Sequence, residues 1–92
     1  MPNITEHDLR RGERFCIALY ENNPQIQQLV AVEVGRENRW REHAMACALI
    51  ARIALTRDTD DLGEGEGAVA LWLHAAVEQL IGDGILDPRN RR

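Results

Sequence analysis

The chain contains no serine and no lysine. The first absence removes every serine nucleophile, and with it the Ser-His-Asp route to acyl transfer. The second means that all eleven basic residues are arginines, whose planar forks suit bidentate contacts to carboxylate or phosphate. Aromatics are scarce, with Phe15, Tyr20, Trp40 and Trp72 making up the whole set. No Cys-x-x-Cys, His-Glu-x-x-His or Glu-x-x-His pattern occurs, so the usual transition-metal signatures are missing. No glycine-rich loop follows a predicted strand, and nucleotide binding has no support. The longest strongly apolar stretch, "AMACALIARIAL", is interrupted by Arg52 and is too short to cross a bilayer. The opening "MPNITEHDLRRGER" lacks the apolar centre of a signal peptide. The expected location is cytoplasmic, with no membrane partner.

What is present points to helices. Ninety-two residues make one domain, here expected over 1–88 with a basic tail at 89–92. The apolar share of 45% is mostly Ala, Leu, Ile and Val, a palette for close helix packing. Thr5 and Asp8 have the spacing of a capping box, and Ile4 and Leu9 that of a hydrophobic staple. Leu9, Phe15, Cys16 and Leu19 then recur at helical spacing, with Gly12 on the same side to admit a neighbouring helix. Arg10, Arg11, Glu13 and Arg14 are expected on the outer face. "ENNP" stops this helix, and Asn23-Pro24 starts another as N-cap and first helical residue.

Residues 25–34 fit either a helical stripe (Ile26, Leu29, Val30, Val34) or a strand alternation (Ile26, Val30, Val32, Val34). Helix is the consistent choice, because no second strand exists to pair with a first. Gly35 is expected to kink or break it. The spacing of Trp40, Ala44, Cys47, Ala48, Ala51 and Leu55 predicts a helix over about 37–57, apolar nearly all round in its second half and therefore central and buried. Its charged first half, "RENRWREH", is expected to project beyond the core. A last helix follows, with Val69, Leu73, Ala76, Val77 and Leu80 as its stripe, Gly82 or Gly84 as C-cap, and Ile85 and Leu86 folding back. The fold class is thus all-α, a small single-domain bundle of three to four helices.

Between the last two helices stands "DTDDLGEGEG". Five of the fifteen acids fall in residues 58–66, which hold no base; the remaining ten acids against eleven arginines leave the rest of the chain at +1, out of a net −4. As a calcium loop the stretch is incomplete. Asp58, Asp60 and Gly63 match positions 1, 3 and 6, but Leu62 and Val69 stand where oxygen ligands belong. As a dense negative surface it suits a basic partner, speeding encounter and imitating a phosphate backbone.

Candidate sites follow from that reading. Partner binding is assigned to Asp58, Asp60, Asp61, Glu64, Glu66, Trp40 and Trp72, the tryptophans as apolar anchors. A nucleic-acid alternative uses the arginine clusters Arg10, Arg11, Arg14, Arg36, Arg39 and Arg41. Direct DNA binding is disfavoured, because Glu13, Glu37 and Glu42 interleave with these arginines and the net charge is negative. His43 and Cys47 share a helix face, yet read as a boundary histidine and a buried core cysteine; Cys16 reads as buried too. No catalytic residue, metal or cofactor is expected. The function class is a non-catalytic inhibitor or regulator, such as a phage-encoded anti-defence protein, facing a protein with a basic surface, for example a nucleic-acid-binding protein. A structural homodimer is the further alternative.

Replacing Asp58, Asp60, Asp61, Glu64 and Glu66 by Asn or Gln is expected to slow association with such a partner and to flatten its salt dependence. Association rates at several salt concentrations measure this, and unchanged rates would remove the charged stretch from the mechanism.

Overall fold

The computed structural model describes residues 3–57 and 67–86, so Asp58–Glu66 and the basic tail lie outside the described residues. Four helices organise the described chain: α1 (Glu6–Tyr20), α2 (Pro24–Glu37), α3 (Trp40–Thr56) and α4 (Ala68–Gly82). No strand occurs among the described residues. The protein is the small all-α bundle that its composition and periodicity predict, and residues 25–34 are helical.

The start of α1 is set by the expected capping box. Thr5 Oγ1 accepts from the Asp8 N–H at 3.2 Å, and Asp8 Oδ2 accepts from the Thr5 N–H at 2.9 Å. Ile4 and Leu9 both enter the core, as a hydrophobic staple requires. At the other end, Asn23 caps α2 by accepting from the Ile26 N–H at 3.2 Å, with Pro24 in the first turn. Helix α4 ends on a left-handed Gly84, whose φ is 81°, and the Ile85 N–H returns to the Leu80 carbonyl. Leu86 then closes the core, while Ile85 stays exposed.

Among the described residues both α1 and α3 pack against all three other helices. The helix expected at the centre therefore shares that place with α1, and the two lie close together, with Ala46 and Ile50 of α3 in the core beside Leu9, Val77 and Leu80. The reason is Gly12. A Cβ at that position would stand 3.0 Å from Ile50 Cδ1 and 3.6 Å from the backbone nitrogen of Cys47. The missing side chain lets α3 lie directly on α1.

Several facial assignments change with that packing. Ala44, Ala48, Ala51 and Leu55 lie on the exposed side of α3, and its buried residues are His43, Ala46 and Ile50. When a helix is apolar on most sides, periodicity cannot choose which stripe is covered. Leu19 is exposed and Ala18 buried in its place. Gly35 does not break α2, which continues to Glu37 and stops at a left-handed Asn38 with φ 53°. The helix expected from residue 37 thus begins at Trp40.

Two glycines give opposite expectations. Gly12→Val should destabilise the fold by about 2 kcal/mol through overpacking against α3. Gly82→Ala, where a Cβ would meet nothing within 4 Å among the described residues, should stabilise by roughly 0.5–1 kcal/mol from helix propensity. Thermal unfolding of the two variants checks the pair of signs.

Candidate functional site: a groove walled by Trp40

Much of the charge in this chain is spent internally. Arg10 reaches Glu78 at 2.7 Å and Glu13 at 3.4 Å, and Arg14 reaches Glu33 at 3.3 Å. Arg11, expected on the outer face, is only 1% exposed. It donates from Nη2 to Glu37 Oε1 at 2.7 Å, while its Nε and Nη1 have no partner among the described residues. The expected outer face of α1 instead carries an ion pair into the bundle, because Arg11 points toward the end of α2.

The second inward pair is Asp8 with Arg39. Arg39 Nε donates to Asp8 Oδ1 at 2.9 Å, and its Nη2 donates to Asp8 Oδ2 at 2.6 Å and to the Asn3 carbonyl at 2.7 Å. Burial pushes the Asp8 carboxyl up, but the bonds from Arg39 and from the Thr5 backbone and hydroxyl outweigh it and hold the group below 3.8. Arg39 is raised in turn by the bond to Asp8, against a smaller effect of burial. Glu37 and Arg39 flank the α2–α3 turn, so both sides of that turn are tied to α1.

Trp40 follows the tied turn directly. Its indole packs on Gly35, where a Cβ would stand 3.4 Å from Cζ2. Even so, Trp40 is 52% exposed, and it forms one wall of a groove of about 520 Å³. Phe15, Pro24, Gln27, Gln28, Ala31 and Val32 line the rest. Gln27 is held by donating to the Ala18 carbonyl at 3.3 Å. Phe15 meets His43 edge to face, with ring centres 5.3 Å apart. No lining side chain is ionisable near neutral pH, so the groove offers packing area and amide hydrogen bonds rather than acid–base chemistry.

The other sequence candidates fall elsewhere. Trp72 is half-buried in the first part of α4, with its Nε1 enclosed and unpartnered among the described residues. Asp58, Asp60, Asp61, Glu64 and Glu66 lie outside the described residues. Arg36 and Arg41 are exposed and form no ion pair among the described residues, whereas Arg10, Arg11, Arg14 and Arg39 all do. His43 and Cys47 exchange the places expected of them: His43 is buried and Cys47 is half-buried. Burial, then the Arg11 charge, lowers the His43 pKa, with Asp8 opposing. No group of three or more His, Cys, Asp or Glu side chains is placed to hold a metal ion among the described residues. None of the described helices is long and apolar enough to cross a membrane.

Sequence reasoning singled out Trp40, which is exposed and lines the groove, but did not foresee the groove. One signal was available: once 25–34 is helical, Val32 falls off the Ile26–Val30–Val34 side and must face outward. Phe15 and the glutamines carried no comparable signal. Comparison with known protein families, curated proteins and solved structures finds no significant match, so a functional reading rests on this geometry and on the sequence.

The Asp8 pKa direction gives a pH expectation. A carboxyl lowered in the folded state contributes stability that is complete above its unfolded value and is lost as pH falls through the lower folded value. Asp8→Asn should therefore cost stability at pH 7, by about 2 kcal/mol for a pair partly open to solvent on the Arg39 side. The gap between wild type and variant should close below about pH 4. Denaturant titrations across pH 2–7 measure it.

Proposed function

We propose that this protein acts without catalysis, by binding another protein, and that the groove walled by Trp40 seats an apolar side chain of that partner. The observation that carries the reading is a tryptophan that is half-exposed yet held. The Asp8–Arg39 pair fixes the residue before it and Gly35 supports its ring. A rigid aromatic beside an open apolar groove is the usual form of an interface anchor, because little side-chain entropy is lost on binding.

The acidic stretch supplies the second part. In sequence, Asp58–Glu66 comes after the C-terminal end of α3, the 17-residue helix that Trp40 begins. The partner that fits carries basic residues for the acidic stretch and an exposed apolar side chain for the groove, such as a nucleic-acid-binding protein masked by this one. An inhibitor or regulator of the anti-defence kind is the corresponding role.

One observation favours a second reading. Trp40, Ala44, Ala48, Ala51 and Leu55 form a continuous exposed apolar side of α3, which suits self-association into a homodimer. Nucleic-acid binding through the arginines has less support, since only Arg36 and Arg41 of the six candidates lack an internal partner among the described residues.

Pull-down from the native host lysate with wild type, the five-fold neutralised variant and Trp40→Ala tests the reading. A partner held by wild type should be lost with the neutralised stretch and weakened by about 2 kcal/mol with Trp40→Ala. Equal capture by all three proteins overturns the proposal, and capture of the chain's own second copy supports the dimer instead.

A further inference from the structure

The outer side of α3 carries an apolar stripe, Trp40, Ala44, Ala48, Ala51 and Leu55, and every residue of it is exposed. Leu55 is 86% exposed and Trp40 52%. Single exposed leucines are ordinary, but an uncovered row along a whole helix marks a contact surface. The stripe is tall at its ends and low in its middle. Trp40 and Leu55 stand about 22 Å apart along the helix, with the alanines between them. In the adjoining row of the same face lie Arg41, Met45 and Arg52, all exposed. Arg41 and Arg52 are three turns apart on one flank, about 16 Å, and neither forms an ion pair among the described residues. The one acid of α3, Glu42, is half-buried and lies off this face.

We propose that this face of α3 is a docking surface for an acidic amphipathic helix of another protein, whose apolar stripe lies along residues 40–55 and whose carboxylates meet Arg41 and Arg52. The shape selects a helix. A straight, narrow seat of this length matches a rod of about four turns, and the alanines admit large side chains of that rod between Trp40 and Leu55. Met45 adapts to the shape of what it meets. The charges select the sign. Two unpaired guanidinium forks on one flank take carboxylates in bidentate contacts, and they repel a basic helix laid on the same stripe.

A second copy of α3 fits this surface less well. Packed antiparallel about a two-fold axis, the arginine flank of one copy faces the arginine flank of the other. Packed parallel, it faces the flank of Cys47 and Ala54, which holds no acid. In neither case does α3 offer its twin a carboxylate for Arg41 or Arg52. Arg41 also opposes the helix dipole in the first turn of α3, so its place there does not stabilise the helix. The inference goes beyond the groove and does not rest on it: Ala44, Ala48, Ala51 and Leu55 are outside the groove lining, which shares Trp40 with this stripe.

The test titrates the full chain, labelled with nitrogen-15, with two synthetic amphipathic peptides of about eighteen residues. Both carry the same leucine stripe; one has glutamates along its flank, the other lysines at the same positions. The glutamate peptide should bind at least about tenfold more tightly, shift the amide signals of residues 44–55 more than those of Gln27 and Gln28, and lose most of its advantage at high salt. Arg41→Glu combined with Arg52→Glu should reverse the preference, and Ala48→Glu should weaken the glutamate peptide. All three positions are exposed, and circular dichroism checks that each variant folds. Equal binding of the two peptides, binding of neither, shifts centred on the groove, or self-association through residues 44–55 without peptide overturns the proposal. Each of these results leaves the groove to be decided by Trp40→Ala, so the two readings fail separately.

Discussion

The arrangement depends on the carboxylate of Asp8. That one side chain completes the capping box of α1 and receives the Arg39 guanidinium in two contacts, at 2.9 and 2.6 Å. It thereby fixes where the first helix begins and where the third begins, although the two lie 31 positions apart. An ion pair of this kind adds little net stability, since desolvation of both charges offsets most of their attraction. Its effect is on geometry. Any register of α3 other than the observed one strands a buried carboxylate, and that is far costlier than the pair is favourable. The neighbouring Arg11–Glu37 pair, at 2.7 Å, acts on the other side of the same turn.

Small side chains explain why charges carry so much of the specification. With only four aromatics in the chain, the core is built from Leu, Ile, Val and Ala, which fit one another in several registers. Gly12 resolves the depth of the α1–α3 contact, the Asp8–Arg39 pair resolves its phase, and the Arg11–Glu37 pair ties the end of α2 to α1. The price appears at the surface, where α3 keeps an apolar side that the bundle does not cover. Trp40 belongs to that exposed set but differs from the rest, because polar contacts on either side of its turn hold it in place.

The legible part of the fold was the part written in local chemistry. Thr5 with Asp8 and Asn23 with Pro24 each announce a helix start through a backbone hydrogen bond that only a few residue types can satisfy, and both stand as read; at the end of α4 the sequence left Gly82 and Gly84 open, and Gly84 is the left-handed one. The helical state of 25–34 was legible by elimination, from the lack of a pairing strand. What was not legible was long-range. Nothing in "RRGER" distinguishes Arg11, buried against Glu37, from Arg10 and Arg14 nearby. Nothing in the α3 periodicity says that Ala46 and Ile50, rather than Ala48 and Leu55, face inward. The groove joins Phe15 to Gln28 and Trp40, and such a junction exists only after the helices are docked. The tryptophan itself was readable as a candidate because large aromatics are too few here to be incidental.

The charges around α3 run against its own helix. Arg39 stands at the N-cap with no side-chain cap bond, and its last turn contains no basic residue. Arg41 follows in the first turn, and Asp58, Asp60 and Asp61 come directly after the C-terminal end in sequence. Each of these choices opposes the macrodipole, which favours acids at the start of a helix and bases at its end. Glu42 in the first turn and Arg57 at the C-cap conform. Arg39 has its explanation in Asp8, but no fold-level contact accounts for Arg41 among the described residues. The sequence obeys local rules at Thr5, Asn23 and Gly84 and departs from them at the start of α3, where Arg39 serves the Asp8 pair rather than the helix end. That start is also the end that carries Trp40, so the ion pair that overrides the helix dipole there also holds the exposed indole in place.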